Sequence, residues 1–320
     1  MIGQDVDKAV EILKEGGLVA IPTETVYGLG ANALDVNAVA KIFEAKERPS
    51  FDPLIIHTDS LDKLEGLVKG IPKELQVLVD TFSPGPLTIL LERTERIPDL
   101  VTSGLPRVAV RIPAHPLCRK LLSKLDFPLA APSANPFGYI SPTRAKHVAD
   151  QLGQKVDYIL DGGNCDYGLE STIVSLTESG SLKVLRKGGL AVEKIEELVG
   201  KVEVNEVSSS NPTAPGMLKS HYAPKTPIYV GNMAENLKKL KGKKIAYIGF
   251  NMLNFNLPVE DQFLLSMRFD LKEAASNLFA VMRQLDKSKK YEAIVADFFP
   301  EEGLGRAIND RLRRASSTEE

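Results

Sequence analysis

The sequence is poor in cysteine, histidine and tryptophan, and each shortage excludes a class of protein. Two cysteines among 320 residues cannot build a four-cysteine zinc site or a disulfide framework. The four histidines lack metal-ligand spacing, so we expect no metal site built from protein side chains. With no tryptophan and 6% aromatic residues, little is available for stacking nucleic-acid bases.

Long apolar runs and an excess of one charge are also absent. No apolar run approaches the roughly 18–20 residues that span a bilayer, and the amphipathic start shows no signal peptide. We therefore expect a cytoplasmic protein with no membrane contact. The net charge of −2, from 40 basic and 42 acidic residues, argues against strong direct nucleic-acid binding but is compatible with a local anion site.

No nucleophile-elbow, zincin, P-loop or kinase motif occurs, so no covalent nucleophile is indicated. Cys165, in a glycine-rich turn, is interpreted as an ordinary thiol. Any catalytic or binding site is therefore expected to consist of polar residues that match no established catalytic motif.

The chain is predicted to form two domains, since 320 residues exceed the size at which a single core stops growing. Residues 1–205 alternate strands and helices, which is typical of an α/β or α+β domain with a mixed sheet. The second helix, from Asp35 to about Ala45, is expected to turn Val36, Val39, Ala40 and Phe43 inward. Strands are predicted at 18–21, 54–57, 87–91, 108–112, 129–131, 158–160, 173–176 and 182–185, and further helices at 5–15, 72–82, 116–124 and 143–152.

Residues 206–227 are rich in serine and proline and are predicted to be a linker. Residues 228–320 then show a second α/β pattern, with strands at 228–230, 245–249 and 293–296 and helices near 233–240, 271–287 and 304–315. Three strands and three helices predict a small three-layer, Rossmann-like domain.

The first candidate site is the segment Pro22–Gly30, which follows a predicted strand. Loops at strand ends commonly hold ligands, and its hydroxyls and glycines offer hydrogen bonds and close backbone approach. A tight connection rich in turn residues is the alternative. Gly28-Leu29-Gly30 with Ala33 also fits a loose dinucleotide-binding pattern, which we disfavour because six residues separate it from the strand.

Two further candidates are polar. Lys46 and Arg48, stopped by Pro49, can point together at an anion, although cations at a solvated helix end explain them equally well. The second is Pro132-Ser133-Ala134-Asn135, with Ser141 beyond it. This segment forms either a rigid polar surface or an ordinary loop with turn-forming residues. Arg111 follows an apolar run, where a charge needs a partner, and Ser171 and Arg186 are similar isolated polar residues.

Together these motifs resemble the YrdC domain. The resemblance rests on Pro22–Leu29, Lys46-x-Arg48-Pro49, Pro53-Leu54, Val108–Pro113, Pro132–Asn135 and Ser171–Ile173, in that order. Pro215–Met217, His221–Pro224 and Gly303–Leu312 resemble the longer, two-domain threonylcarbamoyladenylate synthases. The resemblance covers residues from about 20 to 315, and the fixed order of several motifs makes it specific.

This resemblance implies a twisted, mixed open sheet and an enzyme that joins L-threonine, bicarbonate and ATP, releasing pyrophosphate. Its product would pass to the machinery that modifies tRNA with threonylcarbamoyl groups. Mg²⁺ would arrive with ATP, and no tightly bound organic cofactor is implied.

The resemblance assigns the family's site residues to the positions of this sequence that match its motifs. Lys46, Arg48, Ser133 and Asn135 are expected at the phosphates and as catalytic residues. Ser50, Ser141, Arg186 and Tyr222 are expected on the ATP side, and Thr23, His57, Arg111, Ala131 and Ser171 around threonine. The linker, with Met217, His221 and Tyr222, is expected to close over the site.

Two positions depart from the family pattern. Glu47 stands where a small residue is usual, and Asp52 where asparagine is usual. An acid at either place would weaken a triphosphate contact unless it faces away or meets the metal.

Two other functions are compatible with parts of the sequence. The YrdC domain also occurs in carbamoyl transfer during hydrogenase maturation, but those proteins carry cysteine-rich zinc motifs that two cysteines cannot supply. A non-catalytic RNA-binding module is the alternative from a different class. Salt-dependent RNA binding without ATP turnover would favour it.

Overall fold

The computed structural model describes residues 1–205, 221–254 and 256–316. Residues 206–220, which include Met217 of the predicted linker, lie outside the described ranges.

Within these ranges two sheets are present, each with its own helices. The strands of the first sheet are β1 Ile2–Gly3, β2 Val19–Ile21, β3 Gly28–Asn32, β4 Ile55–His57, β5 Leu87–Glu92, β6 Arg107–Arg111, β7 Leu129–Ala130, β8 Tyr158–Leu160, β9 Thr172–Leu176, β10 Leu182–Arg186 and β11 Glu203–Val204. Its helices are α1 Val6–Lys14, α2 Val36–Lys46, α3 Lys73–Phe82, α4 Asp99–Thr102, α5 Pro116–Ser123, α6 Ala145–Leu152 and α7 Val192–Val199.

The first sheet is mixed, and its strand order is β1-β8-β2-β3-β7-β4-β6-β5-β9-β10-β11. It contains parallel pairs such as β4 with β6 and antiparallel pairs such as β5 with β6. This confirms the predicted fold class.

The second sheet has strands β12 Ile228–Val230, β13 Ile245–Gly249, β14 Gln262–Leu264 and β15 Ala293–Ala296. Its helices are α8 Met233–Lys239, α9 Leu271–Ser288 and α10 Gly305–Ser316. All its strand pairs are parallel, in the order β12-β15-β13-β14. The predicted strands are present, and β14 is an additional one.

The two faces of the first sheet have different environments because side chains alternate along a strand. On β5, Ile89 and Leu91 pack into the main core beneath the helices. Leu90 points to the opposite face and joins a smaller apolar cluster with Ile55, Ala109, Ile173 and Leu185. That face carries the candidate site.

The N-terminal end of α2 is correctly predicted, but part of its buried face is not. Asp35 caps the helix by accepting from the Asn37 N–H. Val39 is buried as expected, whereas Val36 and Ala40 are exposed. The inward positions are instead filled by residues such as Ala38 and Ile42, because α2 is rotated relative to the predicted stripe.

The glycines at 28 and 30 lie within strand β3, which corrects the interpretation of Pro22–Gly30 as a single loop. Strand β2 is followed by the antiparallel strand β3 and not by a helix. A dinucleotide-binding motif needs a strand followed directly by a helix, so the structure rules out the interpretation that we disfavoured. A Cβ at Gly28 would lie 3.2 Å from Ala131 Cβ, and one at Gly30 would lie 3.2 Å from Val19 O. These glycines allow close strand packing.

Candidate functional site

A cavity of about 50 Å³ lies on the second face of the large sheet. Strand ends, four loops and the segment entering the second domain all contribute to its wall. The lining residues are Thr23, Val26, Gly28, Arg48, Ile55, His57, Arg111, Ala131, Pro132, Ser133, Glu170, Ser171, Arg186, His221 and Tyr222.

Most of the predicted site residues meet at this cavity although they are far apart in the chain. They are Thr23, Arg48, His57, Arg111, Ala131, Ser133, Ser171, Arg186 and Tyr222. Lys46, Asn135 and Ser141 are buried just behind the lining, and Ser50 is exposed on a loop outside it.

Lys46 supports the loop that carries Ser133. Its Nζ donates to the Ser133 carbonyl and, at 2.5 Å, to the Asn135 carbonyl. Asn135 Nδ2 in turn donates to the carbonyls of Pro136 and Tyr139, each at 2.8 Å. Burial, helped by the nearby Arg48 charge, holds the pKa of Lys46 well below its usual 10.5. The amine therefore acts on the backbone behind the cavity.

Arg48 and Asp52 form a buried pair, which explains one of the two unusual acids. Arg48 Nη2 lies 2.8 Å from Asp52 Oδ2, while Nε and Nη2 donate to the Asp52 and Pro53 carbonyls at 3.0 and 2.8 Å. Burial raises the pKa of Asp52, and Arg48 opposes that rise. Asp52 thus fixes the guanidinium at the cavity wall.

The other unusual acid, Glu47, faces away from the site. It is exposed, and its carboxylate pairs with Lys155 Nζ at 2.7 Å. Its backbone is left-handed, with φ 54°, where it ends α2. Repulsion of bound phosphates by this carboxylate is therefore reduced by distance and solvent.

Arg111 is paired with an acid that the sequence did not single out. Its Nη2 lies 2.6 Å from Glu24 Oε1, and its Nη1 donates to Thr25 Oγ1 at 2.7 Å. Both charged side chains are almost fully buried. The partner expected for a charge after an apolar run is therefore Glu24, which is 87 positions earlier in the chain.

Arg186 and Ser171 form the wall on the side of β9 and β10. Arg186 Nη2 donates to the Ser171 carbonyl at 3.0 Å and to Ser171 Oγ at 3.1 Å. Ser171 Oγ also lies 2.7 Å from Thr88 Oγ1. Burial lowers the pKa of Arg186 to about 10, which still leaves it protonated at neutral pH.

The two cavity histidines are neutral at physiological pH. Burial, reinforced by Arg111, lowers the pKa of His57 from 6.5 to about 3. Burial and the Arg48 charge likewise hold the pKa of His221 well below 6.5. Neither imidazole is cationic, so the positive charge at the cavity comes from Arg48, Arg111 and Arg186.

Glu170 is the second acid that sequence reasoning missed, and unlike Glu24 it lines the cavity. Its Oε1 accepts from Ser141 Oγ at 2.5 Å, and its Oε2 accepts from Arg311 Nε at 2.8 Å. Its position directly before the Ser171 motif was the only available signal. Arg311 is 141 positions later, so no local pattern could reveal the pair.

The described ranges hold no group of three or more His, Cys, Asp or Glu side chains arranged to bind a metal ion. None of the helices described is both long and apolar enough to cross a membrane.

A larger groove of about 1060 Å³ continues along the same sheet face. Leu90 and Leu185 line it and belong to the apolar cluster that includes Ile55 at the small cavity. Its lysines Lys69 and Lys183 pair with glutamates at 3.2 and 3.4 Å. None of the predicted site residues lines it, so we place the chemistry in the small cavity, where the arginines converge.

Two family models match the chain. One, described as "Telomere recombination" and covering Sua5, YciO and YrdC proteins, matches residues 11–188. The other, described as "Threonylcarbamoyl-AMP synthase, C-terminal domain", matches residues 190–317.

Several known proteins match almost the whole length of this chain. A threonylcarbamoyl-AMP synthase from Pyrococcus abyssi is 43% identical over 96% of this chain and 93% of its own. One from Bacillus subtilis is 38% identical over 97% and 92%. The crystal structure of Pyrococcus abyssi Sua5 complexed with L-threonine matches with a TM-score of 0.89 at 41% identity, covering 99% of this chain and 97% of that one.

Proposed function

The chain belongs to the Sua5, YciO and YrdC family, and from this premise we propose that it is an L-threonylcarbamoyladenylate synthase. It joins L-threonine, bicarbonate and ATP into threonylcarbamoyl-AMP and releases pyrophosphate. The product passes to the machinery that transfers threonylcarbamoyl groups to tRNA. Since ATP, bicarbonate and tRNA share the cytoplasm, we propose that compartment.

The observation that carries this proposal is the convergence of three buried arginines on one small cavity. Arg48, Arg111 and Arg186 meet there with the hydroxyls of Thr23, Ser133 and Ser171. Such a wall suits two anionic reactants and a hydroxylated amino acid.

The chemistry follows from these charges. The threonine amine and bicarbonate give a carbamate and water, and the carbamate is already an anion. A carbamate oxygen forms a bond to the α-phosphorus of ATP, and the bond from that phosphorus to the bridging oxygen breaks. Pyrophosphate leaves with the electron pair. No strong general base is needed, which fits two histidines whose lowered pKa makes them weak bases.

The barrier lies in bringing two anions together and stabilising the leaving pyrophosphate. Positioned cations lower it because they act in a site from which water is excluded. ATP enters as its magnesium complex. Glu170, the carboxylate in the lining, is already engaged by Ser141 and Arg311, so the metal's ligands would come from phosphates and water.

We assign the two ends of the cavity by motif. Arg48, Ser133 and Arg186, with Lys46, Asn135 and Ser141 behind them, serve the nucleotide, together with Ser50 on the nearby loop. Thr23, His57, Arg111, Ala131 and Ser171 surround threonine. The buried segment at His221 and Tyr222 is assigned to cover the reactants. Because the cavity of about 50 Å³ is far below the roughly 300–1000 Å³ of ligand pockets, this segment must shift outwards to admit them.

An omission assay tests the function. Pyrophosphate release is measured with ATP, threonine and bicarbonate, and then with each one left out. Release that requires all three supports the synthase. ATP-independent, salt-sensitive RNA binding without any pyrophosphate release would contradict it and favour an RNA-binding module.

A further inference from the structure

The second domain reaches the cavity through two buried arginines. Arg283 on α9 donates to the Ile140 carbonyl and, at 3.3 Å, to the Ser141 carbonyl. Arg311 on α10 donates to the Glu170 carboxylate at 2.8 Å. Since Ser141 and Glu170 are themselves hydrogen-bonded, the second domain holds both members of one polar pair.

Arg311 is held in one orientation by contacts in several directions. It is fully buried, and besides Glu170 it binds Asp310 Oδ2 at 2.6 Å and the Lys187 carbonyl at 2.9 Å. Its guanidinium lies 5.0 Å from the centre of the Tyr222 ring. One side chain of the second domain thus touches two residues of the cavity lining.

The charge of Glu170 creates a problem for a site that binds a triphosphate. Burial alone would raise the pKa of Glu170, but Arg311, Arg186 and the Ser141 hydroxyl together hold it below 4.5. The carboxylate is therefore ionised at neutral pH. An anion in the cavity wall repels phosphates and competes with them for Arg186.

We propose that Arg311 is a positioning residue that neutralises Glu170 and thereby reduces the repulsion between this carboxylate and the phosphates of the nucleotide. The inference rests on the proposed function and extends it, because it makes the second domain part of the ATP side of the site. The groups that face Glu170 are Arg311 from α10, Arg186 from β10, and Ser141 and Tyr222 from the adjoining segments.

The test measures ATP binding directly, by calorimetry, in the full chain. Arg311→Met should weaken ATP binding about tenfold at pH 8, which is the scale of one lost charge contact. The loss should shrink towards pH 6, since Glu170 without Arg311 has a raised pKa and protonates as the pH falls. Adding Glu170→Gln to Arg311→Met should restore binding to within about threefold of the wild type.

Arg313→Met is the matched control, because Arg313 lies on the same helix with about half of its side chain exposed and pairs with Glu301. It should bind ATP like the wild type. A purely structural role for Arg311 would lower the melting temperature but would produce neither the pH recovery nor the rescue by Glu170→Gln.

Wild-type ATP affinity in folded Arg311→Met overturns the inference, as does a folded double variant that binds no better than the single one. If Arg311→Met does not fold, the double variant and Arg311→Lys are tested in its place. The inference is overturned if either of these variants folds but binds ATP tenfold more weakly than the wild type. Absence of ATP binding by the wild-type protein would overturn the proposed function as well.

Discussion

At the scale of single residues, the site is built from buried charges whose partners are distant in sequence or belong to tight loops. Arg48 is held by Asp52, and Arg111 is held by Glu24. Removing one partner of such a pair leaves a buried charge without compensation, which typically costs about 3–5 kcal/mol. Substitutions at these residues must therefore be tested for folding as well as activity.

Lys46 and Arg48 give the first prediction. Arg48→Ala should reduce pyrophosphate release severely because it removes a cation from the cavity wall. Lys46→Met should do the same through the Ser133–Asn135 loop and should also lower stability by about 1–3 kcal/mol, since two buried carbonyls lose their donor. Lys155→Met, at an exposed pair, is the control. Near-normal turnover of both variants at saturating ATP would contradict the phosphate-side assignment.

His57 gives a prediction for stability against pH. Its pKa is about 3 in the folded protein against 6.5 unfolded, so below pH 6.5 the unfolded chain binds a proton that the folded protein does not. Its contribution is fully present above pH 6.5 and is lost as the pH falls towards 3, by at most about 1.4 kcal/mol per pH unit.

His57→Gln should therefore flatten the fall in unfolding free energy between pH 7 and pH 5, measured by denaturant titration. His221 and His147, whose pKa values are also lowered by burial, remain in the variant and account for a residual slope. An unchanged slope in His57→Gln would show that His57 is not buried in its neutral form.

At the scale of elements, periodicity located most of the longer strands and helices but missed short or glycine-rich ones. Strands β12, β13 and β15 appear at the predicted residues because each is an apolar run bounded by turn residues. Strand β1 has two residues, too few to show alternation. Strand β3 contains two glycines and an asparagine, so its strand character comes from packing against β2 and β7 rather than from its composition.

The site was predictable to the extent that its residues belong to motifs. Thr23, Arg48 and Ser171 lie in recognisable segments and line the cavity. Glu24 lies in the same segment as Thr23, and Glu170 directly precedes Ser171, yet their importance depends on arginines 87 and 141 positions away. These pairs form only when the chain folds, because the two residues of each pair are far apart in sequence. No local sequence pattern therefore predicts them.

The segment at His221 and Tyr222 gives a prediction at this scale. Tyr222 is buried, lines the cavity and stacks on Phe279 of α9 at a ring distance of 5.5 Å. Tyr222→Ala should open the cavity and cost about 3–5 kcal/mol of stability, as loss of a buried aromatic ring does. Because a reactive acyl adenylate needs protection from water, the variant should also release more hydrolysed product per pyrophosphate.

Tyr222→Phe keeps the ring and is the matched control, so it should retain most of the protection. Product yield and pyrophosphate are measured together in both variants. Equal ratios in the wild type and Tyr222→Ala would mean that this segment is a tether and does not shield the product.

At the scale of the whole molecule, the second domain packs directly on the first. Val26, Ile140 and Leu169 of the first domain belong to the same buried apolar cluster as Leu278 and Phe279 of α9. From the sequence, the linker rather than the second domain was expected to close over the site. The direct contacts of α9 and α10 with the cavity segments instead give it a structural role at the site.

Gly168 tests this packing. Its φ is +68°, and a Cβ there would lie 2.5 Å from Ser276 Cα and 2.8 Å from the Ala275 carbonyl of α9. Gly168→Ala should therefore separate the domains and reduce both stability and pyrophosphate release. Gly180→Ala carries similar backbone strain, at φ +82°, but no atom lies within 4 Å of the added Cβ.

The strain common to both variants costs about 1–2 kcal/mol, so the additional loss in Gly168→Ala measures the domain contact. Melting temperature and turnover are compared side by side. Equal effects of the two substitutions would contradict a tight interface at α9.

Mass spectrometry of the product tests whether the cavity joins a carbamate of threonine to the α-phosphate of ATP, as we propose. The protein is incubated with threonine, ATP and ¹³C-bicarbonate, and the adenylate is analysed before it hydrolyses. We predict threonylcarbamoyl-AMP that is one mass unit heavier than the unlabelled product, formed in proportion to pyrophosphate. Unlabelled threonyl-AMP, or pyrophosphate release that proceeds without bicarbonate, would contradict the account.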